Sequence, residues 1–532
     1  MNFQVIAILL VRFYKYLFIR LFILIAPLWL IACAPLGPDF VQSELDTTAQ
    51  WLESAERGLE PVPADVARWW QVFNDPVLNE LVEIARANNN TLEIAGLRVL
   101  ESRAQLGLAV GALYPQSQRI NGSATHISPP ESSGATSNYW QYGLNAGAGW
   151  EIDFWGRFRR GIESADAAFM ASIAAYDHAL VLVTAQVVDT YTVIRATEEQ
   201  LRISRENIVI QERSFAITEV LYRNGQDSGL DMQQAQSLLL STQSTIPTLE
   251  ASLKKARNAL SILLAQGPGK LTILLAREKD PESIPVIPVA IPVGFPADML
   301  RRRPDVRQAE LQAMAQNALV GLAEADLYPS FSLIGSIGLS AGGPVDDDFD
   351  NLFDSDALTY SIGPSFSWPF LSYGRIRNNI RVQDARLQQT LVNYRETVLQ
   401  AAREAEDAMA GFNGSTQQAA LLKKTVASSK RSNELATLRF REGFSDYQRV
   451  LDAQQALFSQ QQRYVTSQSD KVRSLVALYK ALGGGWEERG ALPMIDAETG
   501  ETMDKRTNWG DLLDVGFEKV DRENERVPKP DW

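Results

Sequence analysis

The sequence predicts an α+β membrane protein made of two internal repeats, and three patterns lead to that fold class. Advancing the sequence by 218 positions lays Trp150 on Trp368 and Gly156 on Gly374. In both copies a long alternating stretch leads directly into a helical pattern of about 67 residues, or roughly 100 Å at 1.5 Å per residue. A match at a fixed offset, with the same order of strand and helix, indicates an internal duplication.

Each repeat carries one predicted β-hairpin, over residues 117–153 and 330–370. From Trp140 to Ile152, large apolar residues alternate with small or polar ones, a period that also fits a strand of a water-soluble sandwich. Aromatic residues near the strand ends and a second face of small polar residues favour a barrel with lipid outside and water inside. Because four strands cannot close such a barrel and open edges are not tolerated in lipid, several chains must contribute to one wall.

Composition limits the classes of function. The chain has 532 residues, 45% of them hydrophobic, a net charge of −13 and a pI near 5.0. Nucleic-acid binding needs a basic surface that this acidic chain lacks, so nucleic acid is not an expected partner. A single cysteine excludes an intramolecular disulfide.

The N-terminus resembles a bacterial lipoprotein signal peptide over residues 1–32. Basic residues precede an apolar run, and the run ends at Cys33, whose thiol can accept a lipid. A permanent membrane helix is the alternative, since the apolar stretch is nearly long enough to span a bilayer. Pro27 within the run argues against it. We therefore expect S-diacylglycerol and N-palmitoyl groups at Cys33, and Ala34 after it resembles the sorting pattern for the outer membrane.

The rest of the chain divides around the two long helices. The predicted parts are an extended segment at 33–68, repeat 1 at 69–267, a linker at 268–295, repeat 2 at 296–482 and a polar tail at 483–532. The long helices are predicted over 155–222 and 373–442, and the shorter return helices over 229–265 and 447–482. Each long helix has two apolar or small-residue seams, which indicates two helical neighbours, as in a ring. A cytoskeletal coiled-coil rod is the alternative, but rods carry no membrane hairpin.

Both long helices are predicted to end in similar turns, which form hairpin tips far from the strands. Gly225 and Gly443 suit the left-handed residue that ends a helix. Ser228 and Asp446 suit the cap that begins the next helix.

Two other kinds of site are only weakly indicated by the sequence. Asp346, Asp348 and Asp350 alternate like calcium ligands, but Asn351 and Ala357 replace the glycine and glutamate that such a loop requires, so a solvated acidic loop is the better interpretation. A Gly-x-Ser-x-Gly pattern at 338–342 lies in a strand without a following helix, and the two histidines lack partners for base catalysis. We expect no enzyme activity, no catalytic metal and no cofactor.

A set of motifs resembles the outer membrane factors of Gram-negative bacteria, the TolC-like family, and within it the lipoprotein branch that serves multidrug efflux pumps. The motifs are Cys33, Trp69-Trp70 with Phe73 and Asp75-Pro76, the run Trp150 to Arg157, the Tyr-x-x-Gly-x-x-Ser-x-Leu-Asp tip and Arg302-Arg303-Pro304-Asp305. The resemblance covers about Cys33 to Gly485. It implies a homotrimer with a twelve-stranded outer-membrane barrel, continuous with a periplasmic α-helical barrel.

The resemblance also implies a function. It is that of a passive exit duct to which a periplasmic adaptor protein and an inner-membrane transporter of the RND type dock. An outer membrane channel for type I protein secretion would look nearly identical in sequence. A structural protein that spans the periplasm without transport is a third possibility, against which the polar lumen-facing strand residues argue.

The same resemblance implies a gate at the periplasmic tip. By position, Asp452 matches an acidic gate residue and Gln448 the constriction one helical turn before it, whereas Arg449 stands where relatives have another acid. Three carboxylates brought together would attract cations and repel each other. Our hypothesis is that Asp452 forms the narrow ring and that Arg449 or Arg441 pairs with Asp231 to hold the closed state.

Overall fold

The structure, a computed structural model, is dominated by two very long helices. It describes residues 35–42, 51–52, 59–60, 66–129, 138–226, 228–269, 284–287, 291–292, 296–343, 349–489, 492–513 and 517. The helices are α1 (Pro76–Asn88), α2 (Asn90–Gly111), α3 (Arg157–Arg223), α4 (Gly229–Leu263), α5 (Pro296–Arg302), α6 (Pro304–Ala325), α7 (Arg375–Arg441), α8 (Gln448–Ala481) and α9 (Ala497–Thr507). The predicted long and return helices correspond to α3, α4, α7 and α8, with ends that differ by up to two residues.

Within the described residues, six strands form two sheets. They are β1 (Leu59–Glu60), β2 (Ser117–Ile127), β3 (Tyr139–Ile152), β4 (Ile291–Pro292), β5 (Ser330–Ala341) and β6 (Leu358–Ser367). β1 and β4 form a short parallel pair that joins the N-terminal segment to the linker. The other four strands form one antiparallel sheet in the order β2-β3-β5-β6, so the two predicted hairpins lie side by side and β2 and β6 are its open edges.

The register separates the four-stranded sheet into an apolar face and a polar face. Ile120 lies opposite Ala146, Ala146 opposite Ile337 and Ile337 opposite Tyr360, and residues directly opposite in a sheet share a face. The next row on the other face is Arg119, Gly147, Ser336 and Ser361. The large residues of the apolar face, among them Tyr360 and Ile362, are exposed in the isolated chain. This is the pattern of a membrane barrel wall, with lipid on one side and water on the other.

A tryptophan in each repeat is fixed where the sheet meets the helices. The indole N–H of Trp150 donates to the carbonyl of Leu113 at 3.1 Å, and that of Trp368 donates to the carbonyl of Leu327 at 3.0 Å. Both rings are otherwise exposed. The duplication therefore preserves a contact as well as a sequence.

The helices pack as a single curved layer whose order can be read from their contacts. Near the sheet the order is α2, α3, α6, α7, and near the tip it is α4, α3, α8, α7. α3 is long and apolar enough to cross a bilayer, but 61% of its most apolar window is buried, which identifies it as a core helix. α7 lies at one open edge, where Leu399 and Leu421 are exposed, and the layer continues the open edges of the sheet.

The segment before the first helices is held against the junction of sheet and helices. Arg160, which is 3% exposed, donates to the carbonyl oxygens of Leu36 and Gly37 at 2.9 and 3.1 Å. Asn317 donates to the carbonyl of Pro38 at 2.7 Å. These contacts clamp the segment between α3 and α6. Cys33 and the predicted signal peptide lie outside the described residues.

The C-terminal tail packs on the middle of the molecule. Arg489 forms a buried ion pair with Asp177 of α3, and its guanidinium lies 5.3 Å from the ring centre of Phe517. Phe517 is fully buried and contacts Tyr176 at 4.6 Å between ring centres. Met494, Met503 and Phe517 of the predicted tail are thus part of the core, whereas most of residues 495–513 lie at the surface. The predicted acidic loop at Asp346 and Asp348 lies outside the described residues.

Candidate gate at the helical tip

Two matching turns reverse the chain at the tip. Gly225 and Gly443 have φ values of 69° and 77°, the left-handed region predicted for them. The amide of Gly225 donates to the carbonyl of Tyr222 at 2.9 Å, and the amide of Gly443 to that of Phe440 at 3.0 Å. The amides that follow reach back to the carbonyls five residues earlier, which completes a Schellman motif in both repeats. The predicted helix ends are confirmed.

The two helix starts after these turns differ. The hydroxyl oxygen of Ser228 accepts from the amide of Leu230 at 3.0 Å and caps α4 as predicted. The predicted cap at Asp446 is wrong, because Tyr447 stands at the N-cap of α8 with helical dihedral angles and no side-chain hydrogen bond caps this described helix start. The Asp446 carboxylate lies instead 3.7 Å from Arg449.

The candidate gate residues lie on the exposed first turns of α8. The side-chain amide of Gln448 donates to Oδ1 of Asp452 at 2.9 Å, one helical turn away, so the two predicted constriction residues are brought together. Both are exposed in the single chain. The bond orients the Asp452 carboxylate along the helix and keeps it beside a neutral partner, so its negative charge remains available.

The structure also shows an ion-pair partner for each of the two arginines of the predicted latch. Arg449 pairs with Asp446 at 3.7 Å, and Arg441 with Glu442 at 3.9 Å, all with exposed side chains. Exposed pairs of this kind contribute at most about 1 kcal/mol and exchange partners easily. Asp231 is in the first turn of α4. Pairing of either arginine with Asp231 stays a prediction.

Sequence reasoning missed a small apolar cluster beneath the gate. Tyr447, Val450 and Ala235 are almost fully buried together, and Phe440 packs edge-on against Tyr447 with 5.3 Å between ring centres. Ala235 belongs to α4, so the cluster joins the tips of the two helical hairpins.

A second missed feature is a polar seam between α3 and α8 in the tip half of the molecule. Four polar residues of α3 are buried at intervals of seven, namely Thr197, Ser204, Gln211 and Thr218. Across the seam the amide of Gln454 donates to the hydroxyl of Ser214 at 2.7 Å, and the amide of Asn207 donates to the carbonyl oxygen of Gln461 at 2.8 Å. Both side-chain atoms of Gln211 have no hydrogen-bond partner within the described chain. The two helical hairpins therefore meet through amides and hydroxyls as well as through apolar contacts, such as the buried cluster of Ala196, Ile203 and Val465.

The Arg302-Arg303-Pro304-Asp305 motif lies at the other end of this seam and ties helices together. Arg303 donates to the carbonyl of Ala481 at 2.9 Å and pairs with Asp305 and Glu404 at 2.7 and 2.8 Å. Burial alone would raise the pKa of Asp305, but the hydrogen bonds and charge of Arg303 outweigh it and hold that pKa below its ordinary value. Burial lowers the pKa of His178, which lies beside this cluster. The motif joins α6, α7 and α8, so its role here is structural.

Comparisons with known proteins agree with this architecture. The sequence model of the outer membrane efflux protein family matches residues 81–266 and 295–484. Among curated proteins, the solvent efflux pump outer membrane protein SrpC of Pseudomonas putida is 31% identical, over 84% of this chain and 95% of its own length. The cation efflux system protein CusC of Escherichia coli is 30% identical, over 85% of this chain and 96% of its own.

Solved structures show the same fold. The outer-membrane channel OprN superposes with a TM-score of 0.78 at 31% identity, over 85% of this chain and 99% of that one. A CusC structure superposes with a TM-score of 0.73 at 27% identity, over 85% of this chain and 100% of that one.

Proposed function

This chain belongs to the outer membrane efflux protein family, and from that premise we propose that it is the exit duct of a tripartite efflux pump, closed at rest by the tip residues of α8. The relatives named above are outer membrane components of pumps for solvents and for cations. The chain accordingly conducts solutes passively across the outer membrane. Because those relatives are efflux proteins, efflux is favoured over type I protein secretion.

The observation that carries the proposal is the two-faced, open-edged sheet. Its apolar face suits lipid and its polar face suits a water-filled lumen, but its edge strands β2 and β6 have no partners within the described chain. Unpaired backbone groups are not tolerated in the hydrocarbon core, so β2 of one copy pairs with β6 of the next. Three copies give the twelve strands that a homotrimer of this family has, and the helical layer, open at the same sides, closes with them.

The helical part then forms the periplasmic tunnel. At 1.5 Å per residue, the 67 residues of α3 extend about 100 Å from the membrane. A tip at that distance is where a periplasmic adaptor and an inner-membrane transporter of the RND type dock.

The lipid anchor is part of the same proposal. The clamp formed by Arg160 and Asn317 holds residues 36–38 against the base of the barrel. Cys33 lies only three residues before Leu36. Diacylglycerol and palmitoyl chains on it would therefore reach the periplasmic leaflet beside the barrel. Mass spectrometry of the N-terminal peptide tests this, and an unmodified Cys33 or an uncleaved signal would contradict it.

The gate is tested by conductance of the purified protein in planar bilayers. We expect small steps that prefer cations from wild type, because three Asp452 carboxylates line the narrowest point. Asp452→Ala should give larger steps with less cation preference. Asp446→Ala is a matched control, since it removes a carboxylate from the same turn without touching Gln448.

Each outcome separates parts of the proposal. Large steps from both wild type and Asp452→Ala would keep the channel and move the gate elsewhere. A properly folded trimer without conductance would contradict the duct. For the latch, Asp231→Ala should raise the closed-state leak, and an unchanged leak would remove Asp231 from the closing mechanism.

A further inference from the structure

The polar face of the barrel carries one prominent charge. Along the four long strands the only Asp, Glu, Lys or Arg residues are Arg119 in β2 and Glu151 in β3. Glu151 lies at the periplasmic rim and pairs with Arg157 at 3.4 Å. Arg119 lies inside the span, about 14 Å along the sheet from the Glu151 level at 3.4 Å per residue.

The register places Arg119 on the lumen side. Its row across the sheet is Arg119, Gly147, Ser336 and Ser361, and the hydroxyls of the two serines lie 2.8 Å apart. The neighbouring rows on this face also consist of small or polar residues, except for Ile334. The row farther from the helices is Asn121, Asn145, Gly338 and Thr359, and the row nearer to them is Ser117, Gly149, Ile334 and Gly363. Arg119 is thus the one long, charged side chain among these mostly small or polar residues of the lumen face.

No acid within the described residues neutralises this guanidinium. The Arg119 side chain is exposed and has no hydrogen-bond or ion-pair partner in the part of the chain that the structure describes. β2 is an edge strand, so a neighbouring copy could supply a partner. The strand that would lie there is β6, which has no Asp or Glu between Leu358 and Ser367.

We propose that three Arg119 side chains form a ring of positive charge inside the barrel, which binds anionic groups and favours anions at the outer end of the duct. This rests on the proposed function, because the ring requires the trimeric channel. Guanidinium groups on a polar surface bind carboxylate, phosphate and sulfate through paired hydrogen bonds. The duct then has opposite charges at its ends, with acidic Asp452 at the tip and basic Arg119 in the membrane.

This arrangement affects which solutes pass through the duct. An anionic or zwitterionic solute that has passed the tip meets an attractive site before it leaves. A cation that enters from outside meets a repulsive one, so the ring hinders its return. The ring therefore acts on the class of solute that the barrel admits, independently of the gate.

Channel block by a polyanion tests the ring. Inorganic tripolyphosphate is added to one side or the other of a bilayer that holds the full-length trimer. We expect block at lower concentration from the barrel side than from the tip side, because acidic residues guard the tip. Arg119→Gln should raise the half-blocking concentration about tenfold by removing three charges from one plane. Arg119→Lys should retain most of the block.

A matched control and a second measurement complete the test. Lys505→Gln removes one positive charge from α9, which lies in the tail far from the strands, and should leave block unchanged. In a potassium chloride gradient, Arg119→Gln should lower the chloride-to-potassium permeability ratio about twofold. Equal block and equal permeability ratios in wild type and Arg119→Gln would overturn the ring while the duct stands. A folded trimer without any conductance would overturn both.

Discussion

At the scale of residues, Arg303 shows how one motif holds the fold together. Its guanidinium bridges two carboxylates and a helix-terminal carbonyl on three different helices. Asp305 is the more buried of the two carboxylates, and its pKa is held below the ordinary value of 3.8. A depressed carboxyl pKa stabilises the fold at a pH above the unfolded value, and this contribution is lost as the pH falls through the folded value.

Asp305→Asn tests that linkage. At pH 7 the variant should lose about 2 kcal/mol, the cost of removing a charged partner from a buried hydrogen bond, and melt at lower temperature. Between pH 4 and pH 2 wild type should lose this contribution, so the two melting temperatures should converge. Thermal unfolding in detergent across this range is the measurement. Asp407→Asn, whose exposed pair with Arg403 spans 3.9 Å, is the matched control and should change little at any pH. A constant gap between wild type and Asp305→Asn down to pH 2 would contradict the linkage.

Residue-scale prediction succeeded where chemistry is local. Gly225, Gly443 and Ser228 were predicted from the backbone geometry that helix ends require, and the structure places them accordingly. Asp446 failed because the helix started one residue later than the cap rule assumed. Arg119 was passed over because its environment depends on which strands lie beside it, which a single strand does not reveal.

At the scale of elements, the seam between α3 and α8 separates the tip half of the molecule from the rest. In the half near the sheet, α3 buries an apolar stripe that ends near Ile194. In the tip half, polar residues are buried along the seam. The apolar half was predicted from its spacing. The polar half was not, because buried polar residues at heptad spacing look like a solvent-facing stripe in sequence. A polar seam costs little to hydrate, which suits the opening of the gate that we propose.

Gln211→Leu should strengthen this seam. The Gln211 amide is 2% exposed without a partner in the described chain, and a buried unsatisfied amide costs about 1 to 3 kcal/mol. We expect a higher melting temperature and fewer channel openings in bilayers. Gln454→Leu is the informative contrast, since it removes a bond to Ser214 and should lower the melting temperature. If Gln211→Leu destabilised the protein as much as Gln454→Leu, the amide of Gln211 would have to be satisfied by water.

At the scale of the whole molecule, the need for several chains followed from counting strands. The side-by-side order of the two hairpins and the packing of Phe517 in the tail could not be predicted from the sequence. Phe517 is an isolated anchor in a polar sequence, and one buried ring produces no periodicity to detect. Its place is decided by Tyr176, which is more than 300 residues away in sequence, and by Arg489, which lies 28 residues before it.

The two faces of the barrel give a direct test of the assembly. Ile362 faces lipid near the middle of β6, and Ser361 beside it faces the lumen. Ile362→Lys should cost about 2 to 4 kcal/mol per chain, because a charge then faces hydrocarbon, whereas Ser361→Lys should be tolerated. The measurement is the yield of trimer in outer membranes on unheated gels. Equal yields for the two variants would contradict the assignment of faces.

The paired tryptophans at the base of the sheet bear on how the assembly stands in the cell envelope. Each chain holds the indoles of Trp150 and Trp368 at one level of the barrel. Each indole donates a hydrogen bond to a backbone carbonyl just before the first strand of its own hairpin. Indoles prefer the boundary between lipid tails and head groups. Three chains place six of them around one circle, and a circle of anchors resists tilting in every direction. A tunnel about 100 Å long magnifies any tilt at its far end, so this level ring limits how far the tip is displaced sideways.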